Sequence, residues 1–327
     1  MKKILQPRLM ELLPIDYPII VAPMFLVSNI AMLEQACNFG AAAAVPSLNY
    51  RTGQELEHAL IELKEKCRKG AYGVNLIVNK SNNKLREHLS VCLKHKPHFI
   101  ITSLGSPREV IEKCKPLGIK VFCDVVDLGF AKKVEALGAD AVIAVCKEAG
   151  GHAGPLSADQ LVPELKDFCS IPVISAGGVS TGEGVQKRLK LGADGLSIGS
   201  MFIATEESAV SREYKEAVVR YGAKDIVFTD KLSGTPCTVI NTPYLQRIGT
   251  EQNWLERLLN RNKYLKKYVK MLTFYKGMKK LQRAAFGATY KTLWVAGPSI
   301  ENVKEVLPMR KMLQELLEGV EVKGKGS

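Results

Sequence analysis

The sequence predicts an α/β chain folded as a (β/α)8 TIM barrel with a mainly helical insertion after the eighth strand. Three observations carry this. Between Pro18 and Ser200 one unit recurs: a short apolar run rich in Val, Ile and Ala, a polar turn, then a segment of helical period. Eight such apolar runs can be read, and strict alternation over eight favours a closed barrel over an open doubly wound sheet. Several helical segments also end in a Leu-Gly or Phe-Gly pair, at Phe39-Gly40, Leu117-Gly118, Leu137-Gly138 and Leu191-Gly192, where glycine terminates a helix.

In order, the strands are expected at 18–23 (PIIVAP), 41–45 (AAAAV), 72–77 (YGVNLI), 98–102 (HFIIT), 119–124 (IKVFCD), 140–145 (DAVIAV), 171–176 (IPVISA) and 194–199 (DGLSIG). Helices are expected at 29–39, 53–69, 82–94, 106–117, 128–138, 158–168 and 181–191. The phrases LGADAV and LGADGL mark two equivalent helix-to-strand joints. After the eighth strand the rhythm stops. Residues 207–290 read as a helical insertion beside the barrel mouth, with a loop near 232–249. Residues 1–206 and 291–320 form the barrel, which a last amphipathic helix at 300–317 closes, and 321–327 read as a frayed tail.

Composition bounds the function. With 327 residues, 46% hydrophobic and 24% charged, the chain has the profile of a folded soluble protein. Pro7, Arg8, Glu11, Pro14 and Asp16 interrupt any secretory apolar region, and no run approaches the ~18 apolar residues that span a bilayer. The eight cysteines are scattered without a CxxC pair and read as reduced thiols, so the expected compartment is the cytoplasm. The net charge of +13 is concentrated at 256–291, where Arg257, Arg261, Lys266, Lys270 and other basic residues face the single acid Glu256. That concentration argues against a general nucleic-acid surface. It reads first as the solvated face of amphipathic helices, and second as a dock for an acidic partner.

In a barrel of this kind chemistry belongs at the C-terminal strand ends. There lie Ala22, Pro23 and Met24 after strand 1, Asn75 in strand 3, Thr102 to Gly105 after strand 4, and Cys123 and Asp124 at the end of strand 5. Strand 6 runs into Glu148-Ala149-Gly150-Gly151-His152-Ala153-Gly154. Strand 7 ends in Ser175, Ala176, Gly177 and Gly178, and strand 8 in Gly199 and Ser200. Glycine turns after strands 7 and 8, beside a helix start, let backbone N–H groups hold a phosphate. No GxGxxG follows the first strand and no GxxxxGK[ST] occurs, so the phosphate of a mononucleotide is expected. His152 is the candidate catalytic group, since imidazole exchanges protons near neutrality and its glycine neighbours let a flat ligand approach. His58, His88, His95 and His98 share no ligand spacing, so no metal is expected.

Together and in this order, VAPM (21–24), GVNL (73–76), EAGGHAG (148–154), SAGGVSTGEG (175–184), GSMF (199–202) and WVAG (294–297) resemble the nitronate monooxygenase family, formerly 2-nitropropane dioxygenases. The same motifs occur in its relatives, the FMN-dependent enoyl-acyl-carrier-protein reductases. The resemblance implies an FMN-binding barrel in which Ala22, Pro23 and Met24 touch the isoalloxazine edge, Asn75 bonds the flavin and Ala149, Gly150 and Gly151 line the ring. Gly177, Gly178, Gly199 and Ser200 would hold the phosphate, with Asp124 and Ser175 among the cofactor-side residues. His152 matches the family's active-site histidine. The implied reaction takes a small-molecule nitronate or nitroalkane with O2 as co-substrate.

Three departures stand out. Met201 replaces the arginine of a common Gly-Thr-Arg-Phe, the first turn reads Ala-Pro-Met rather than the reductases' Gln-Gly-Gly-Met, and Pro298 follows Ala-Gly where glutamine is common. They bear on substrate more than on flavin binding. An NAD(P)H-dependent enoyl-thioester or quinone reductase is the alternative enzyme, and a barrel docking an acidic partner the non-enzymatic one. The insertion is also where a homodimer contact would fall.

Overall fold

The computed structural model describes residues 6–230, 236–251 and 293–321. Eight parallel strands close in chain order: β1 (Ile19–Val21), β2 (Ala42–Pro46), β3 (Ala71–Ile77), β4 (Phe99–Ser103), β5 (Lys120–Val125), β6 (Ala141–Val145), β7 (Val173–Ala176) and β8 (Gly195–Ile198), with β8 paired back to β1. Every expected strand is present. After α1 (Leu9–Leu12), the crossover helices are α2 (Ile30–Phe39), α3 (Gly53–Lys66), α4 (Leu85–His95), α5 (Arg108–Cys114), α6 (Leu128–Ala136), α7 (Ala158–Phe168) and α8 (Gly182–Lys190).

Local chemistry explains the helix ends. Asn29, Thr52, Asp127 and Thr181 cap α2, α3, α6 and α8 by accepting a backbone N–H with their side chains. Gly40 takes φ +103° after α2, a left-handed turn that a Cβ would strain.

Side chains alternate between two apolar layers. Ile20, Ala42, Ala44, Ala71, Phe99, Ile101, Phe122, Ala141, Ile143 and Ile174 fill the barrel interior, while their neighbours in the strands pack under the helices. Phe99 and Phe122 stack at 5.2 Å between centroids. Gly73 makes room for them, because a Cβ there would meet the Phe99 ring at 2.6 Å. The short α1 plugs the N-terminal end with Leu9 and Leu13, and Leu9 packs against Gly195. Apolar packing therefore closes one end of the barrel and leaves the other for chemistry.

Beyond β8 the structure departs from expectation. The helix α9 (Arg212–Arg220) is followed by β9 (Ile226–Thr229) and β10 (Cys237–Ile240), an antiparallel ribbon in a region read as helix and loop. Its runs Ile-Val-Phe-Thr and Cys-Thr-Val-Ile are β-branched and suit a sheet better than a helix. A short helix α10 (Pro243–Ile248) follows, and Val295 bridges to Val239, so the returning chain lies along the ribbon. The last helix is α11 (Met309–Leu317), shorter than 300–317 because Pro308 precludes continuous helix across it. It packs against α2 and α8, the place of the eighth helix. The basic run 256–291 and the end of the tail lie outside the described residues.

Candidate active site

A cavity of about 550 Å³ opens at the C-terminal mouth, within the range that holds a cofactor or drug-sized ligand. Ala22, Pro23, Met24, Asn75, Asp124, Ala149, Gly150, Gly151, His152, Gly177, Gly178, Gly199 and Ser200 all line it. Ser175 does not: alternation along β7 turns Ala176 inward and Ser175 toward the helix layer, where Cys146 is its neighbour.

The loop after β6 is held from three sides. Gly177 and Gly178, at φ +112° and +74°, form the first. A Cβ on Gly177 would meet Ala149 N at 2.5 Å, and one on Gly178 would meet Glu148 Cβ at 2.8 Å. On the second side the returning chain comes so close that a Cβ on Gly150 would lie 2.9 Å from Gly297 N. Gly297 N–H donates to Ser200 Oγ at 2.8 Å. On the third, Thr238 of β10 accepts the Gly151 N–H at 2.8 Å, donates its own N–H to Gly151 O at 2.8 Å, and sends its hydroxyl to Ala149 O at 3.1 Å. The glycines of EAGGHAG thus serve close packing of protein on protein as well as the approach of a ligand.

His152 lies half-buried on this loop, and burial lowers its pKa from the ordinary 6.5, so the imidazole is neutral at pH 7. Across the mouth, Asn75 Nδ2 donates to Ile101 O at 3.2 Å and to Ser103 Oγ at 2.7 Å, and Ser103 Oγ donates to Asp124 Oδ2 at 2.5 Å. Burial pushes the Asp124 carboxyl up to about 6, with the Ser103 hydrogen bond opposing the shift.

The residues fit a flavin mononucleotide. Gly178 and Val179 N–H groups make no hydrogen bond within the described residues, as donors awaiting an anion would. They precede the N-terminus of α8, whose dipole favours negative charge. The buried Arg188 guanidinium comes within 3.3 Å of where a Gly178 Cβ would stand, adding positive charge behind the turn. Both Asn75 amide hydrogens are used, which leaves Oδ1 to accept an N–H from a ring.

Some lining residues carry no sequence motif. Tyr214 of α9 donates to Val295 O at 2.6 Å and stacks on Trp294, with centroids 5.6 Å apart, and so ties the ribbon side to the mouth. Ser103, already placed at the end of strand 4 by the sequence, faces inward by alternation, two residues beyond the interior Ile101. No sequence signal places Thr238 and Tyr214, since only the tertiary fold brings them to the loop.

The fold is a (β/α)8 barrel whose cavity opens at the C-terminal strand ends. Residues 83–319 match the nitronate monooxygenase family, and the chain belongs to it; it is an oxidoreductase of the flavin-barrel type. It is 29% identical to a nitronate monooxygenase of Paraburkholderia phytofirmans over 69% of this chain and 74% of that protein. It is 30% identical to a hydroxy-methyl-oxo-octahydro-indene-carboxyl-CoA dehydrogenase of Rhodococcus jostii, over 76% of this chain and 69% of that one. Among solved structures, FabK from Thermotoga maritima superposes with a TM-score of 0.83 at 27% identity, covering 96% of each chain. A nitroalkane oxidase from Streptomyces ansochromogenes, at 22% identity and a TM-score of 0.80, shares the fold over 95% of this chain and 97% of that one.

Proposed function

We propose that this protein is an FMN-dependent nitronate monooxygenase that oxidises alkyl nitronates and nitroalkanes with O2 in the cytoplasm, where its eight buried, unpaired cysteines stay reduced. The observation that carries the reading is a neutral His152 on a glycine loop inside the same cavity as a donor-lined phosphate turn. Gly177, Gly178, Gly199 and Ser200 hold the phosphate, and Ala22, Pro23, Met24 and the Ala149–Gly151 backbone flank the ring. Bound FMN supplies two-electron redox chemistry and, once reduced, reactivity toward O2. His152 takes the α-proton of a neutral nitroalkane on an imidazole nitrogen. The ribbon and Tyr214 keep the loop in place and water out.

The second reading is an NAD(P)H-dependent reductase of enoyl thioesters or quinones, favoured by the likeness to FabK over 96% of the chain. Anaerobic absorbance of the flavin near ~450 nm separates the two, because the cofactor reports its own redox state. Bleaching by a nitronate and not by NADH or NADPH is the expected result, and rapid bleaching by the nucleotide selects the reductase. A colourless protein that takes up no FMN sinks both. Within the same proposal, an acidic partner at 256–291 is tested by salt-sensitive pulldown, and a homodimer by light scattering.

A further inference from the structure

We propose that the closed end of the barrel carries a second ligand site, a pocket between α3 and α4 that binds a dianionic phosphate group, free or in an ester. The pocket has a volume of about 560 Å³ and lies outside the apolar plug made by α1, where α3 and α4 end and β3 and β4 begin. Crossover helices run back against their strands, so helix ends and strand starts meet there. Lys64 comes from the last turn of α3, Tyr72 from the start of β3, and Lys94, His95, Lys96 and His98 from the end of α4 and the turn into β4. This pocket and the mouth cavity share no lining residue.

Its lining is rich in donors, and no carboxylate is part of it. Glu57 of α3 answers one of the cations: its Oε1 accepts from Lys94 Nζ at 2.5 Å and from His95 Nε2 at 2.8 Å. Lys64 and Lys96 make no ion pair within the described residues, so two positive charges are left over. Two neutral donors join them. His98 Nδ1 accepts the Tyr72 N–H at 3.3 Å, which puts the ring hydrogen on Nε2, and burial lowers the ring's pKa and keeps it neutral. Tyr72 is 4% exposed and meets the His98 ring edge-on at 5.0 Å between centroids. Burial pushes its hydroxyl up to about 12, so it stays an O–H donor. Neither the Tyr72 hydroxyl nor His98 Nε2 has a hydrogen bond within the described residues, and neither is sealed from solvent; the opening beside both is this pocket. Lysines at a helix C-terminus ordinarily answer the helix dipole. Helix carbonyls would also take the Tyr72 and His98 hydrogens if they were in reach, so unused donors here call for an acceptor from outside. Two charges and two neutral donors match the doubly charged, acceptor-only oxygens of a phosphate.

The site stands independently of the flavin reading. Its test is an NMR titration of the whole protein at about pH 8, where the probes are dianions, with inorganic phosphate and separately with glycerol 3-phosphate. The imidazole signals separate the two cavities, since His98 reports the pocket and His152 the mouth. A saturable shift of the His98 signal is expected, and the tighter-binding probe tells free phosphate from an ester. Lys64→Gln together with Lys96→Gln should weaken that binding at least about tenfold, and Tyr72→Phe about two- to fivefold. Lys113→Gln, which removes a surface lysine paired with Glu109 on α5, should leave it unchanged. No shift at His98, or one that the double variant leaves intact, overturns the proposal. So does an equal weakening by Lys113→Gln, since the net charge of +13 would then act from anywhere on the surface. A colourless protein whose His98 responds refutes the flavin reading alone, and a yellow protein whose His98 stays silent refutes this one alone.

Discussion

The two halves of the barrel mouth recognise by different means. On the β7–β8 side the groups proposed to bind are backbone: two left-handed glycines, N–H donors that make no hydrogen bond among the described residues, and a helix start. On the β3–β5 side they are side chains in a hydrogen-bonded row, Asn75, Ser103 and Asp124. Backbone recognition leaves no room for a Cβ and so cannot be tuned by small steps. Side-chain recognition can be changed one atom at a time.

The largest effect expected is on rate. His152→Asn should slow turnover of neutral nitroalkanes by about 10²–10⁴ and spare preformed nitronates, in steady-state assays of both. An equal loss with both substrates would make His152 a binding residue instead. Gly177→Ala comes next: its φ of +112° and the close Ala149 backbone should cost about 3 kcal/mol and strip FMN on dilution, seen as lost flavin absorbance. If Asp124→Asn loses flavin as completely, the contrast between the halves fails.

Asp124 also makes a prediction of opposite sign. Its carboxyl is raised to about 6 from an ordinary value of 3.8, so its contribution to stability is full below about pH 4 and is lost as pH rises through about 6. Asp124→Asn should therefore stabilise the fold at pH 7 by on the order of 1–3 kcal/mol in urea melts, with little change near pH 4. The smallest effect concerns the loop clamp. Thr238→Val should cost about 1–2 kcal/mol and speed hydrogen exchange at the Gly151 amide.

Much of this was legible in the residues. The strands are short and apolar and alternate with capped helices, so local pattern and tertiary fold agree, and the strand ends then place most of the cavity wall. Ser175 shows the limit of reading a motif as a block, because period-two alternation turns it away while Ala176 and Gly177 face in. The ribbon was missed because IVFT and CTVI are four residues each, too short for periodicity to separate from loop. The role of Thr238 depends on contact with Gly151 across 87 residues, which no local signal encodes.

That span has a consequence in time. A nascent chain has all eight barrel strands once Ile198 has been made, yet the loop bearing His152 still lacks Thr238, and Ser200 lacks Gly297, 97 residues further on. The mouth is thus completed by chain made long after the eight strands, whereas Leu9 and the phenylalanines that pack the closed end come early. Capture of the proposed cofactor would then be a late event of synthesis, and an incomplete chain released early would have a barrel's strands without the contacts that hold this loop.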